Sequence, residues 1–176
     1  MRVDEDKQIA HAMEFARTAH DAQMVGYFDD HVMKVYDKVR TYTSCVDIGT
    51  AALLHDVVED TEVGRAEIEQ FYGREVEEIV WCLTDEEGIN RKERKMKTYW
   101  KIRSSGASVL IKLCDRWENV TRSIRTKSKH GDMYAKEYYT FKCALWSPNV
   151  CIQLWNELDA LHAQLKEKNI WLPKAK

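Results

Sequence analysis

Apolar residues recur at helical spacing along nearly the whole chain. Ile9, Ala12, Met13, Ala16 and Ala19 mark one face of a helix over about 5–22, with Asp4, Glu5 and Asp6 ahead of them to suit its dipole. His31, Val32, Val35 and Val39 predict a second helix over about 29–42. A third covers about 45–60 and carries an apolar run that ends in His55-Asp56. Gly73 splits two short helices, Ala66–Tyr72 and Glu75–Leu83. Arg91–Arg103 is a basic helix, and Ala107–Arg125 opens on Val109, Leu110, Ile111 and Leu113, apolar enough for a central buried position. Met133–Trp146 and Val150–Lys166 complete the set, separated by Ser147-Pro148. The chain reads as one all-α domain, residues 1–176, of eight or nine helices.

Composition sharpens this picture. Two Pro and seven Gly in 176 residues leave little room for the turns of a sandwich or barrel. With 27 Lys+Arg against 29 Asp+Glu, the net charge of −2 argues against general nucleic-acid or anionic-membrane binding. No apolar run approaches the ~18 residues of a membrane span, and the first residues hold no secretory signal. Five scattered cysteines without a CxxC read as buried reduced thiols in a cytoplasmic protein.

The chemistry concentrates in a few places. Imidazole and carboxylate ligands that converge from separate elements make a metal site, and His31, His55, Asp56 and Asp115 form such a set. Leu53-Leu54 run directly into His55-Asp56, and Ile111 and Leu113 precede Asp115. Ionised carboxylates at the wall of a core are costly unless a cation pairs with them. Glu59 lies four residues after His55, and Asp60 four after Asp56, one helical turn above the candidate ligands. That is where a general base or water-orienting carboxylate is wanted. Asn119 follows Asp115 at the same spacing. Arg91 and Arg94 are the pocket-facing choices in the basic run RKERKMK, and Lys136 and Tyr139 are further substrate candidates. Tyr138 and Phe141 read as core, and the six tryptophans, Trp171 among them, as core or oligomer surface. His11, His20, His130 and His162 read as surface residues.

The ordered set resembles the HD-domain phosphohydrolases, and within them the RelA/SpoT-type stand-alone small alarmone hydrolases of metazoan SpoT homologue type. HDVVEDT at 55–61 carries the HD and ED motifs, IKLCDRWENV at 111–120 the second aspartate, and MYAKEYYTFKCAL and WNELDAL the C-terminal helices. The resemblance implies an HD-domain helical bundle with one divalent ion, manganese, on His31, His55, Asp56 and Asp115. It implies Glu59 and Asp60 as the catalytic pair and Asn119 near ribose and phosphate. The implied reaction removes the 3′-pyrophosphate of guanosine tetra- or pentaphosphate. The stretch HDAQMVGYFDDHV at 20–32 departs from the family's HxGQxRxSGxPYxxHP, being several residues shorter and lacking the Arg after Gln. This departure keeps a deoxynucleotide or NADPH open as substrate. A non-catalytic nucleotide-binding HD protein is the contrasting class, and the complete set of ligand and ED residues argues against it. The expected partner is a small nucleotide, with homo-oligomers possible and no nucleic acid or membrane.

Overall fold

The computed structural model describes residues 2–148 and 150–170, with side chains described for 5–148 and 150–166. Trp171 lies outside the described residues. Every regular element among them is helical, in the order α1 (Arg2–Asp21), a π-helical turn (Phe28–Val32), α2 (Met33–Arg40), α3 (Val46–Leu54), α4 (Val57–Asp60), α5 (Arg65–Tyr72), α6 (Arg74–Leu83), α7 (Arg91–Arg103), α8 (Gly106–Thr126), α9 (His130–Leu145) and α10 (Ile152–Ile170). The all-α expectation holds. None of these helices is long and apolar enough to cross a membrane.

Helix ends follow local chemistry. Asn90 caps α7 by accepting from the Glu93 amide at 3.0 Å, and Ser105 caps α8 by accepting from Ser108 at 3.2 Å. Gly73, at φ +84°, ends α5 and starts α6, a left-handed backbone that a side chain would strain.

Two predicted helices are interrupted, and both interruptions lie at the site. The helix expected over 29–42 begins instead as a π-helical turn, whose widened winding is seen where the Met33 amide reaches back to the Phe28 carbonyl. The helix expected over 45–60 breaks at 55–56, where Asp56 takes φ −103° and ψ −4° and α4 restarts. The shared-face argument from an unbroken helix is therefore corrected, although the Asp60 amide still bonds the Asp56 carbonyl at 2.9 Å.

α8 is the central rod, packed against α2, α3, α6, α7, α9 and α10. Its apolar side, including Ile111 and Leu113, joins Leu53, Leu54, Phe141 and Trp155 in one buried core. Non-directional burial of this surface is what closes the bundle. Two residues read as surface are buried, His20 and His162. His162 stacks on Tyr138 with ring centroids 3.6 Å apart, and its Nδ1 donates to the Leu158 carbonyl at 2.7 Å. Burial holds this imidazole neutral, its pKa pulled down to about 4. The expectation of buried thiols holds for Cys114, whereas Cys45 and Cys143 are exposed.

Candidate metal centre and active site

The site forms where the π-helical turn, the α3–α4 break and the middle of α8 meet. Ligand atoms of His31, His55 and Asp56 all lie within 4.8 Å of one another. Asp56 Oδ2 is 3.0 Å from His55 Nε2 and 3.6 Å from His31 Nε2. His55 Nδ1 is 2.8 Å from the Ala52 carbonyl oxygen. A carbonyl only accepts, so Nδ1 carries the proton and Nε2 is turned to the cluster. His55 Nε2 is buried and faces Asp56 Oδ2. Two imidazoles and a carboxylate suit a divalent cation, and these residues form a metal-binding His/His/Asp site.

Asp115 adjoins the trio through His31, with Oδ1 3.3 Å from Nε2. Its other oxygen pairs with Lys112 Nζ at 2.7 Å, and Asn119 donates to Oδ1 at 2.5 Å. Burial raises the carboxyl of Asp115, but the charges of Lys112 and His31 win and hold it well below the usual range. Burial pulls the His31 imidazole down, yet hydrogen bonds and charge from Asp115 and Asp56 outweigh it and push the pKa up to about 10. The same balance, with Asp56 as partner, raises His55.

Protons and a cation compete for these imidazoles, which sets the sign of the pH dependence. Binding of a divalent cation at pH 7 should release about one proton or more, and affinity should rise up to about tenfold per pH unit below the His31 pKa. The chelator-treated protein should behave oppositely. A raised imidazole stabilises fully below its unfolded value near ~6.5, and that contribution is lost as pH climbs to about 10. Calorimetric titration in buffers of different ionisation enthalpy measures the released protons, and none released would contradict the assignment.

A cavity of about 210 Å³ opens in front of the trio. Of the expected site residues, His31, Asp56, Glu59, Asp60, Arg91, Asp115 and Asn119 line it, with His55 behind Asp56. Glu59 accepts from the Asp85 amide at 3.2 Å. At this rim, burial and then Asp85 raise the Glu59 carboxyl, and burial and then Asp56 raise that of Asp60. Arg91 is held by Glu137, with Nε donating to Oε1 at 2.7 Å.

Three expected substrate residues are elsewhere. Arg94 lies along a separate surface groove with Glu93 and Lys97. Tyr139 is 79% exposed and belongs to another groove, between α7 and α9. Lys136 is exposed and does not line the cavity. The physical reason is helical phase: α9 turns Tyr134, Tyr138 and Phe141 inward, and positions 136 and 139 fall on the opposite side.

The residues missed are Tyr27, Lys95, Tyr99, Lys112, Arg116 and Tyr134, which complete the cavity wall. Spacing carried a signal for some of them. Arg91, Lys95 and Tyr99 follow one another at intervals of four, and Lys112, Asp115, Arg116 and Asn119 form a single stripe of α8. Burial and the nearby charge of Lys112 lower the Lys95 ammonium. Arg116 is buried, with its guanidinium 4.5 Å from the Phe141 ring centroid and 4.8 Å from that of Tyr134.

Comparison with known proteins agrees with this geometry. No family model matches the chain. The guanosine-3′,5′-bis(diphosphate) 3′-pyrophosphohydrolase MESH1 of Drosophila melanogaster is 35% identical over 114 residues, covering 63% of this chain and 63% of the relative. Its Mus musculus counterpart is 31% identical over 119 residues, covering 66% of this chain and 64% of the relative. The chain thus spans less than two thirds of the length of these relatives. Among solved structures, one described as a metazoan ortholog of SpoT that hydrolyzes ppGpp superposes with a TM-score of 0.75 at 24% identity, over 89% of this chain and 94% of that one, which shows the shared fold. The two histidines and the HD aspartate thus meet at one metal-binding site inside a bundle that shares the fold of the SpoT-ortholog structure, in a chain similar in sequence to the MESH1 proteins.

Proposed function

We propose that the protein is a metal-dependent nucleotide phosphohydrolase, and specifically a guanosine-3′,5′-bis(diphosphate) 3′-pyrophosphohydrolase, acting as one domain in the cytoplasm. The observation that carries this reading is the shared cavity. It sets the metal-binding residues and two rim carboxylates against Arg91, Lys95, Lys112 and Arg116. The activity named for its relatives supports the choice of substrate. The volume of about 210 Å³ is below the roughly 300–1,000 Å³ of whole-ligand sites. The cavity therefore takes the pyrophosphate end, and the nucleoside extends past its mouth.

In this reading His31, His55, Asp56 and Asp115 hold one divalent ion, manganese by resemblance. When bound, that ion adds positive charge at the phosphoryl oxygens and acidifies water. Glu59 and Asp60 orient the attacking water and take its proton. The water oxygen bonds to phosphorus, the bond from phosphorus to the ribose 3′ oxygen breaks, and that oxygen ends as a hydroxyl. Lys95, Lys112 and Arg116 offset the charge on the phosphates, and Arg91, braced by Glu137, presents its guanidinium to them. Asn119, bonded to Asp115 at 2.5 Å, stands beside the nucleotide.

Anion-exchange analysis of manganese-loaded protein with guanosine tetraphosphate, deoxynucleoside triphosphates and NADPH tests the reading. GDP and pyrophosphate from the tetraphosphate are the expected products. Turnover of another nucleotide alone would show that the shortened stretch at 20–32 has re-specified the pocket, and no turnover of any would favour a binding protein.

A further inference from the structure

Tyr27 stands between the turn at 22–26 and the π-helical turn, which it precedes, and its hydroxyl reaches Asp56 Oδ2 at 2.6 Å. This is the oxygen that also faces His55 Nε2 at 3.0 Å and His31 Nε2 at 3.6 Å. The phenol ring is itself held in place. One side meets the buried His20 ring at 5.0 Å between centroids, and the other meets His31 at 5.2 Å. Behind it, Gly26 turns the chain at φ +84°, and its amide bonds Asp21 Oδ1 at 3.2 Å.

Asp56 sits at the break between α3 and α4. A ligand on such a break needs an outside anchor to fix its rotamer, and the partners that orient ligating groups set metal affinity. We propose that Tyr27 is a positioning residue for the metal site, fixing the Asp56 carboxylate by donating its hydroxyl proton to the oxygen that faces both histidines. A carboxylate oxygen carries two lone pairs, so the phenol can occupy one while the other remains for the cation. A carboxylate only accepts, so the phenol hydroxyl is the donor in this 2.6 Å bond. The segment that joins α1 to the π-helical turn thereby contributes to the metal centre.

The inference rests on reading His31, His55 and Asp56 as the metal-holding residues, and the experiment separates the two. Manganese is titrated calorimetrically into wild type and Tyr27→Phe, and the metal-free melting temperatures are compared. Phe keeps the ring and its contacts with His20 and His31. The expected result is a manganese dissociation constant about 10- to 100-fold weaker in the variant, with the metal-free melting temperature retained. Equal affinity in the two proteins would overturn the role of Tyr27 and leave the metal site standing. So would a lowered melting temperature at unchanged affinity, since that is the mark of a packing role. A wild type that binds no manganese would overturn the metal-site reading itself.

Discussion

Asp115→Ala is expected to abolish manganese binding and to bring phosphohydrolase activity to background. The carboxylate is buried and engages three groups, with His31 at 3.3 Å, Lys112 at 2.7 Å and Asn119 at 2.5 Å. Its removal takes away the proposed fourth metal ligand and also leaves the Lys112 ammonium without this counter-charge. Breaking a buried pair on one side typically costs about 3–5 kcal/mol, a large share of the roughly 5–15 kcal/mol that holds a domain together. Loss of metal alone would therefore be ambiguous. The double variant Asp115→Ala with Lys112→Met removes the stranded charge, and it should recover most of the lost melting temperature while still binding no manganese. Elemental analysis after desalting and a thermal melt check both parts. Metal and activity retained in Asp115→Ala would remove Asp115 from the ligand set.

The second large effect is expected at the rim of the cavity. Glu59→Gln and Asp60→Asn should each keep the fold and the bound metal while lowering kcat about 10²- to 10⁴-fold, the usual scale for a lost general acid or base. The carboxamide oxygen introduced by Glu59→Gln can still accept from the Asp85 amide, which Glu59 meets at 3.2 Å, so the loop it holds should persist. Burial raises both carboxyls, helped by Asp85 at Glu59 and by Asp56 at Asp60. A raised carboxyl takes up a proton more readily than an ordinary one, and it must be ionised to act as a base. The acid limb of the rate profile should consequently lie above the normal carboxylate range, with activity falling as pH drops through it. An unchanged rate in both variants would return the pair to a helix-stabilising role.

The candidate site residues were readable because each short segment carries its own signal, a histidine or carboxylate beside an apolar run, although the segments are far apart in sequence. His31, Asp56, Glu59, Asp60 and Asp115 line one cavity, and His55 adjoins it through Asp56. The basic and aromatic contacts were read less well. Of the residues on α7, Arg91 faces the cavity and Arg94 does not, while Lys95, one turn after Arg91, does. On α9 the choice of Lys136 and Tyr139 missed Tyr134 by a few positions. A charged helix such as α7 has little apolar stripe to announce its inward face, so its phase is open in sequence. His20 and His162 looked solvated because no neighbouring residue revealed that other helices cover them.

The sequence alone carried the helical content, the central place of α8 and a set of candidate site residues. Local hydrophobic periodicity and the cost of placing carboxylates beside apolar runs are enough to specify these. Only the packed structure fixes the break at 55–56, the approach of Tyr27 to Asp56 beside the π-helical turn, and which cations line the cavity. Each of these depends on partners far apart along the chain: 29 positions between Tyr27 and Asp56, 46 between Arg91 and Glu137. Periodicity fixes which side chains share a face, but only packing against α8 and its neighbours sets the direction in which that face points.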